Sequence, residues 1–452
     1  MLDASVVVAF AALYAAFLMG LLSARPTLAL AFVWLLIPMS WRVFDVAYID
    51  LAGPIYSDQL AMHVGPGHAS ALLVLDLICT FSVFALLLPK LQEQVQAPGA
   101  APRFGMTMER LRVVLLPAMT LLLLGVYIEV FARGSLPVLS GIERYDYAAD
   151  HAGPLYRFLL RFGDPLAMYL GAMAVYPVLR GRNVDRPFIF LLIAMLVVAF
   201  LTGHRFSAFF KFCTLFAIAF GALALKDRSA SAVRHSSRSV LGVFLAGLLI
   251  AVPAILLSYF FTRFDDPAQA WHSIAQRTLV QQGELWWVTH QRVVDENVWA
   301  LSPVLDALFV APLDASRNTT IQYLMEAAIG QDAARLIAQN TQYAGGFPEV
   351  FHEAFGPSLG VLAVTLASLP AAYLLRTFLF AIVRDRPLTL LSSGMLLYPF
   401  QIMFWGGMLN FFLAWSFWAK LALFAAAAMV ESDWFPRMLA RVVSRTTLQH
   451  GH

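Results

Sequence analysis

A succession of apolar runs, each long enough to cross a lipid bilayer, constrains this chain more than any other feature. About 20 helical residues cross about 30 Å of hydrocarbon. Eleven stretches qualify, at roughly 4–23, 27–44, 68–89, 112–131, 164–179, 187–202, 206–224, 240–261, 354–375, 387–407 and 409–430. Inside lipid, backbone polar groups must find partners within the chain, so such runs become helices. Composition agrees: 60% of the 452 residues are hydrophobic and 13% are charged, against about 25% charged in soluble domains. The expected fold class is therefore all-α, a polytopic integral membrane protein of about 11 transmembrane helices. The first run is expected to be a span and not a cleaved signal, because no basic stretch precedes it and no A-x-A-like site follows.

A net charge of +3 gives no reason to expect nucleic acid as a partner; the bilayer is the expected one. Cys79 and Cys213 both lie inside apolar runs and read as small core residues. Basic residues divide the short loops into two sets. One holds Lys90, Arg103, Arg110 and Arg112, then Arg180, Arg182 and Arg186, and later Arg376, Arg384 and Arg386. The other holds Arg42, Arg133, Arg144, Arg157, Arg161 and Arg205 together with the long polar stretch between residues 262 and 353. The first set is denser, so it is expected on the cytoplasmic side, with the N-terminus outside and the C-terminus inside. The second set uses Arg and no Lys, and Arg presents a fork that matches phosphate or carboxylate.

The long stretch is too long to be an idle loop. The chain thus divides into an N-terminal bundle of about eight spans (1–261), a large helical outer loop (262–353), and C-terminal spans with a tail (354–452). Four constellations stand out on the outer side. ARGSLPVLSGIERYDYA (132–148) carries Arg144 and Tyr145 on a loop shaped by Pro137 and Gly141. TGHRFSAFFK (202–211) sets His204, Arg205 and Lys211 at the start of a span, where an ionisable group needs a partner or a cavity. Arg263 follows a span directly. After it, Arg277, Gln281, Glu284 and Trp287 recur at helical spacing and are expected to share one face, with Trp286 and Trp287 as an alternative interfacial belt. QNTQYAGGFPEVFHEAFG (339–356) carries Tyr343, then Glu349, His352 and Glu353 at i, i+3 and i+4, one helix face at the membrane surface. A carboxylate or imidazole held there suits a general base; acidic capping of a helix start is the plainer reading of the two glutamates. Asp265 and Asp266 lack D-x-D spacing and a His partner, so no metal is expected.

In this order and on these loops, the chain resembles the Wzy-type polymerases of lipid-linked oligosaccharide repeat units. The resemblance rests on GSLPVLSGIERY (134–145), TGHRFS (202–207) and the long loop returning through GGFPEVFHEAFGPSLG (345–360). It implies a GT-C-like membrane glycosyltransferase of the bacterial inner membrane, related in fold to the O-antigen ligases, with residues 262–353 as a periplasmic catalytic loop. It implies no cofactor and a metal-independent transfer. The partners would be undecaprenyl-pyrophosphate-linked oligosaccharides and a chain-length regulator protein. On this reading Arg205, Arg263 and Arg277 meet the pyrophosphate, and Glu349 or His352 takes a proton from the incoming hydroxyl. His204, Glu284, Trp287, Tyr343, Glu353, Arg144 and Tyr145 would contact substrate. The runner-up functions are an O-antigen ligase and a lipid-linked glycan flippase or transporter, the last expected to show internal repeats.

Overall fold

The computed structural model describes residues 2–24, 29–88, 107–134, 136–140, 142, 146–204, 206–226, 266–310, 319–330, 332–338 and 345–431. Among these residues the chain is helical apart from one small hairpin. Helix α1 is Leu2–Ala24 and α2 is Val33–Ala52. The hairpin pairs β1 (Ile55–Ser57) with β2 (Met62–Val64), Tyr56 opposite His63. Next come α3 (Ala69–Leu87), α4 (Met108–Ala132), the short α5 (Pro137–Ser140), α6 (Pro154–Leu179), α7 (Arg186–Leu201), α8 (Phe206–Ile218) and α9 (Gly221–Lys226). The long polar stretch builds α10 (Pro267–Leu279), α11 (Glu284–His290), α12 (Leu301–Val310), α13 (Thr320–Ile329) and α14 (Asp332–Ala338). The chain returns through α15 (Glu349–Val383), α16 (Pro387–Gly406) and α17 (Trp415–Val430).

Local chemistry explains many of the boundaries. Proline in the first turn, where its missing N–H costs nothing, opens α6, α7, α10 and α16. Thr107 accepts from Arg110 N–H to cap α4, and Thr319 forms a capping box with Gln322 at α13. Asp266, considered above as a metal ligand, accepts from Ala268 N–H and caps α10; Asp265 lies outside the described residues.

Among the described residues seven helices are long and apolar enough to cross a membrane: 4–23, 30–52, 69–87, 108–132, 154–179, 349–383 and 387–406. Three shorter apolar helices, 186–201, 209–225 and 415–430, match three further expected runs. The expected run at 240–261 lies outside the described residues. The chain is thus a polytopic helical membrane protein. Helix α15 packs between α3 and α16, and α6 packs against α4, α7, α8 and α16.

The described members of the two loop sets lie toward opposite ends of the bundle. At one end Asp185 pairs with Arg112, and Asp385 takes hydrogen bonds from Met108 N–H, Tyr176 and Arg180. At the other end α2 finishes, α3 begins, α15 begins and α16 finishes, with α10 to α14 packed over them. This second end carries the buried polar groups discussed next.

Candidate active site

The first turns of α15 are set apart from the rest of that helix. Gly356 takes φ +75° and ψ −179°, a conformation denied to residues with side chains, and Pro357 follows. Residues 349–355 therefore form a separate short helix seated across the top of the span. Its three ionisable side chains each reach a different element.

Glu349 forms an ion pair with Arg42 of α2, and both side chains are buried. Its second oxygen accepts from Gly346 N–H at 3.2 Å, and Arg42 also donates to the Phe347 carbonyl. His352 Nε2 meets Asp76 Oδ2 of α3 at 2.9 Å, with 1% and 0% of the two side chains exposed. Glu353 faces the guanidinium of Arg292 at 3.2 and 3.4 Å and accepts from the Tyr323 hydroxyl at 3.4 Å. Arg292 also donates to the Ala327 carbonyl at 2.6 Å. An aromatic wall closes the cluster: Trp286 stands edge-on to His352 at 5.2 Å and donates to the Ala69 carbonyl at 2.8 Å.

With Asp76 ionised, Nε2 carries the proton and donates to it, and the lone pair lies on Nδ1. Nδ1 is buried without a hydrogen-bond partner. It faces Gly360, where a side chain's first carbon would sit 2.6 Å away. The ring therefore packs directly against the glycine, and position 360 has no room for a side chain. A buried imidazole with a carboxylate on one nitrogen and an unfilled lone pair on the other is equipped to accept a proton.

Further acids lie close by, on the polar elements that cover the bundle. Glu284 is buried and accepts a hydrogen bond from the Ser57 hydroxyl. Burial pushes its carboxyl up to about 7, against the pull of the Ser57 hydrogen bond, and Asp58 adds to the rise. Burial holds the His290 imidazole down at about 4, with Asp295 opposing and His68 and His352 assisting. Burial, with the nearby Glu353 charge, raises the Tyr323 hydroxyl to about 12.

Several expectations need correction. Glu349, His352 and Glu353 do share one helix turn, but they are buried in pairs and do not lie open at the surface. Acidic capping accounts for part of Glu349 only, through Gly346 N–H. Arg277, Gln281, Glu284 and Trp287 do not form one stripe. Helix α10 ends at Leu279, and Gly283 starts a new helix where a Cβ would lie 2.7 Å from Val46 N. The chain turns there because it approaches the α2 backbone, with Asp45 accepting from Gln282 N–H. Glu284 and Trp287 thus face α2, β1 and the start of α3, while Arg277 is half-buried on α10. Trp286 is no interfacial anchor; it is fully buried. His204 occupies the turn after α7, donating its N–H to Ala199 at 2.8 Å. Arg205, Arg263, Tyr343, Arg144 and Tyr145 lie outside the described residues.

Sequence reasoning missed Arg42, Asp76 and Arg292. For the first two a signal existed: a charge inside an apolar run demands a partner. Arg292 had none beyond its place in the polar stretch.

A family described only as a family of unknown function (DUF6418) matches residues 314–440, which include Glu349, His352 and Glu353 but not Arg42, Asp76 or Arg292. No curated protein and no solved structure matches the chain.

Proposed function

We propose that this protein is a glycosyltransferase of the bacterial inner membrane that polymerises undecaprenyl-pyrophosphate-linked oligosaccharide repeat units on the periplasmic side. The observation that carries the reading is the buried His352–Asp76 pair, whose Nδ1 has no hydrogen-bond partner, at one end of a membrane bundle. That is the level at which a lipid-linked sugar presents its anomeric carbon.

In the proposed step His352 Nδ1 takes the proton of the acceptor hydroxyl. The hydroxyl oxygen forms a bond to the donor's anomeric carbon. The bond from that carbon to pyrophosphate breaks, and pyrophosphate leaves with the electron pair. Asp76 stabilises the imidazolium formed. Arginine forks, with Arg205, Arg263 and Arg277 as the assigned residues, offset the charge gathering on the leaving group. Of the two base assignments, His352 is favoured over Glu349, because the Glu349 carboxylate is already paired with Arg42 while Nδ1 of His352 has no hydrogen-bond partner.

Deleting the gene and analysing the surface glycan tests this reading. A polymerase deletion leaves single repeat units attached to the acceptor. Polymer stranded on the carrier lipid would instead assign a ligase, and unchanged glycan would overturn both.

A further inference from the structure

A second polar cluster lies apart from the His352 site, in the membrane part of the bundle. Four helices contribute to it: α6, α8, α16 and α17, in contact as α6 with α8, α6 with α16, and α16 with α17. Asp164 on α6 is its one acid among the described residues. Lys211 Nζ reaches Asp164 Oδ1 at 2.7 Å, and Gln401 donates to Asp164 Oδ2 at 3.0 Å. Asp164 thus has an ion pair on one oxygen and a hydrogen bond on the other.

Two cations remain. Lys420 stands over the Tyr398 ring at 5.9 Å, and Arg161 acts electrostatically on both Tyr398 and Lys420. Among the described residues no carboxylate pairs with either of them. Three cations against one anion leave an excess of positive charge among apolar helices. Such an excess is costly unless an anion offsets it.

The placement is directional. Helices α6, α8 and α17 all begin at the end of the bundle where α15 begins. Glu129 at the end of α4 accepts from Tyr156 N–H there, and Glu431 at the end of α17 caps α16 at the opposite end. Lys211 and Lys420 lie in the second turn of their helices. Side chains on a helix tilt toward its N-terminus, so both ammonium groups lean toward the face that carries the His352 site. Lys211 is 28% exposed and its partner Asp164 6%, so the ammonium is the more accessible group of the pair.

We propose that Lys211, Lys420 and Arg161 form a lateral niche for the phosphate of a lipid headgroup, with Tyr398 as its wall. It rests on the glycosyltransferase reading only in naming the pyrophosphate carrier as the lipid. Ligand enters from the bilayer with its chain among the helices and its phosphates against the three cations.

The test is binding by the full-length protein in phosphatidylcholine nanodiscs, with undecaprenyl pyrophosphate, undecaprenol and inorganic pyrophosphate as probes. Undecaprenyl pyrophosphate should bind tightest. Lys420→Gln should weaken it about tenfold or more without moving the thermal midpoint, and adding Lys211→Gln should weaken it further. Equal binding of undecaprenol, or equal affinity for inorganic pyrophosphate, would overturn the lipid-phosphate assignment. Unchanged binding in the Lys420→Gln and Arg161→Gln variants would show that these cations only snorkel toward headgroups. His352→Ala separates the two readings: it should lose polymer while keeping the binding.

Discussion

His352 and Asp76 are 276 positions apart in the chain and 2.9 Å apart in the fold. The contact ties the short helix at the start of α15 to α3, and Nδ1 on the other side of the ring has no hydrogen-bond partner. On the proposed function, one polar contact would serve both packing and chemistry. The two roles separate experimentally.

Removing a general base commonly costs about a hundredfold or more in rate. His352→Ala should reach that, measured as initial rate of polymer formation by purified protein. Asp76→Asn should slow the reaction and shift its pH profile, because the amide no longer enforces the tautomer. Gly360→Ala places a carbon 2.6 Å from Nδ1, so the ring must shift and activity should fall too. Normal polymer from both His352→Ala and Gly360→Ala would end the assignment.

Arg42 and Glu349 make a different prediction. Both are buried, so Glu349→Gln leaves a guanidinium without counter-charge. That costs about 3–5 kcal/mol, while a double change to methionine should recover much of it. Thermal unfolding in detergent measures this. A Glu349→Gln protein as stable as the parent would show that the ion pair contributes nothing.

Glu284 predicts a pH dependence. Its carboxyl sits at about 7 in the folded chain against 4.5 for an ordinary glutamate. Between those values the folded chain holds a proton that the unfolded chain has released. The stability from this group is therefore complete below pH 4.5 and is lost as pH rises through 7. The span corresponds to about 3 kcal/mol. Glu284→Gln removes the titration, so between about pH 5 and 8 the variant should gain on the parent protein. Parallel unfolding curves for the two across that range would overturn the prediction.

Sidedness is read with cysteines. In a background lacking Cys79 and Cys213, a cysteine replacing the exposed Asp306 of α12 should label from the periplasm with an impermeant reagent. One replacing the exposed Arg182 should label only after the membrane is opened. The reverse pattern would invert the orientation.

The helices were legible because lipid leaves a long apolar run few alternatives, and the two ends of the bundle follow the division of basic loops. The turn at Val280–Gly283 was not legible. Helical spacing from Arg277 to Trp287 is real in the sequence, and only the approach of Gly283 to the α2 backbone breaks it. Asp76 was visible as a lone acid in an apolar run, yet nothing local pointed to His352. The covering role of Trp286 was hidden for the same reason, since two adjacent tryptophans read equally well as a belt.

The break at Gly356 has a bearing on how the chain tolerates change. His352 and Gly360 belong to one continuous stretch, so the contact between the ring and position 360 is set by eight peptide units and not by how neighbouring spans lean. The bundle can tilt as a body without changing that contact. One residue inserted between positions 352 and 360 would turn the helix on one side by about 100° and put a different side chain against the ring. Length in this short segment should therefore be far less forgiving than composition anywhere along the span that follows it.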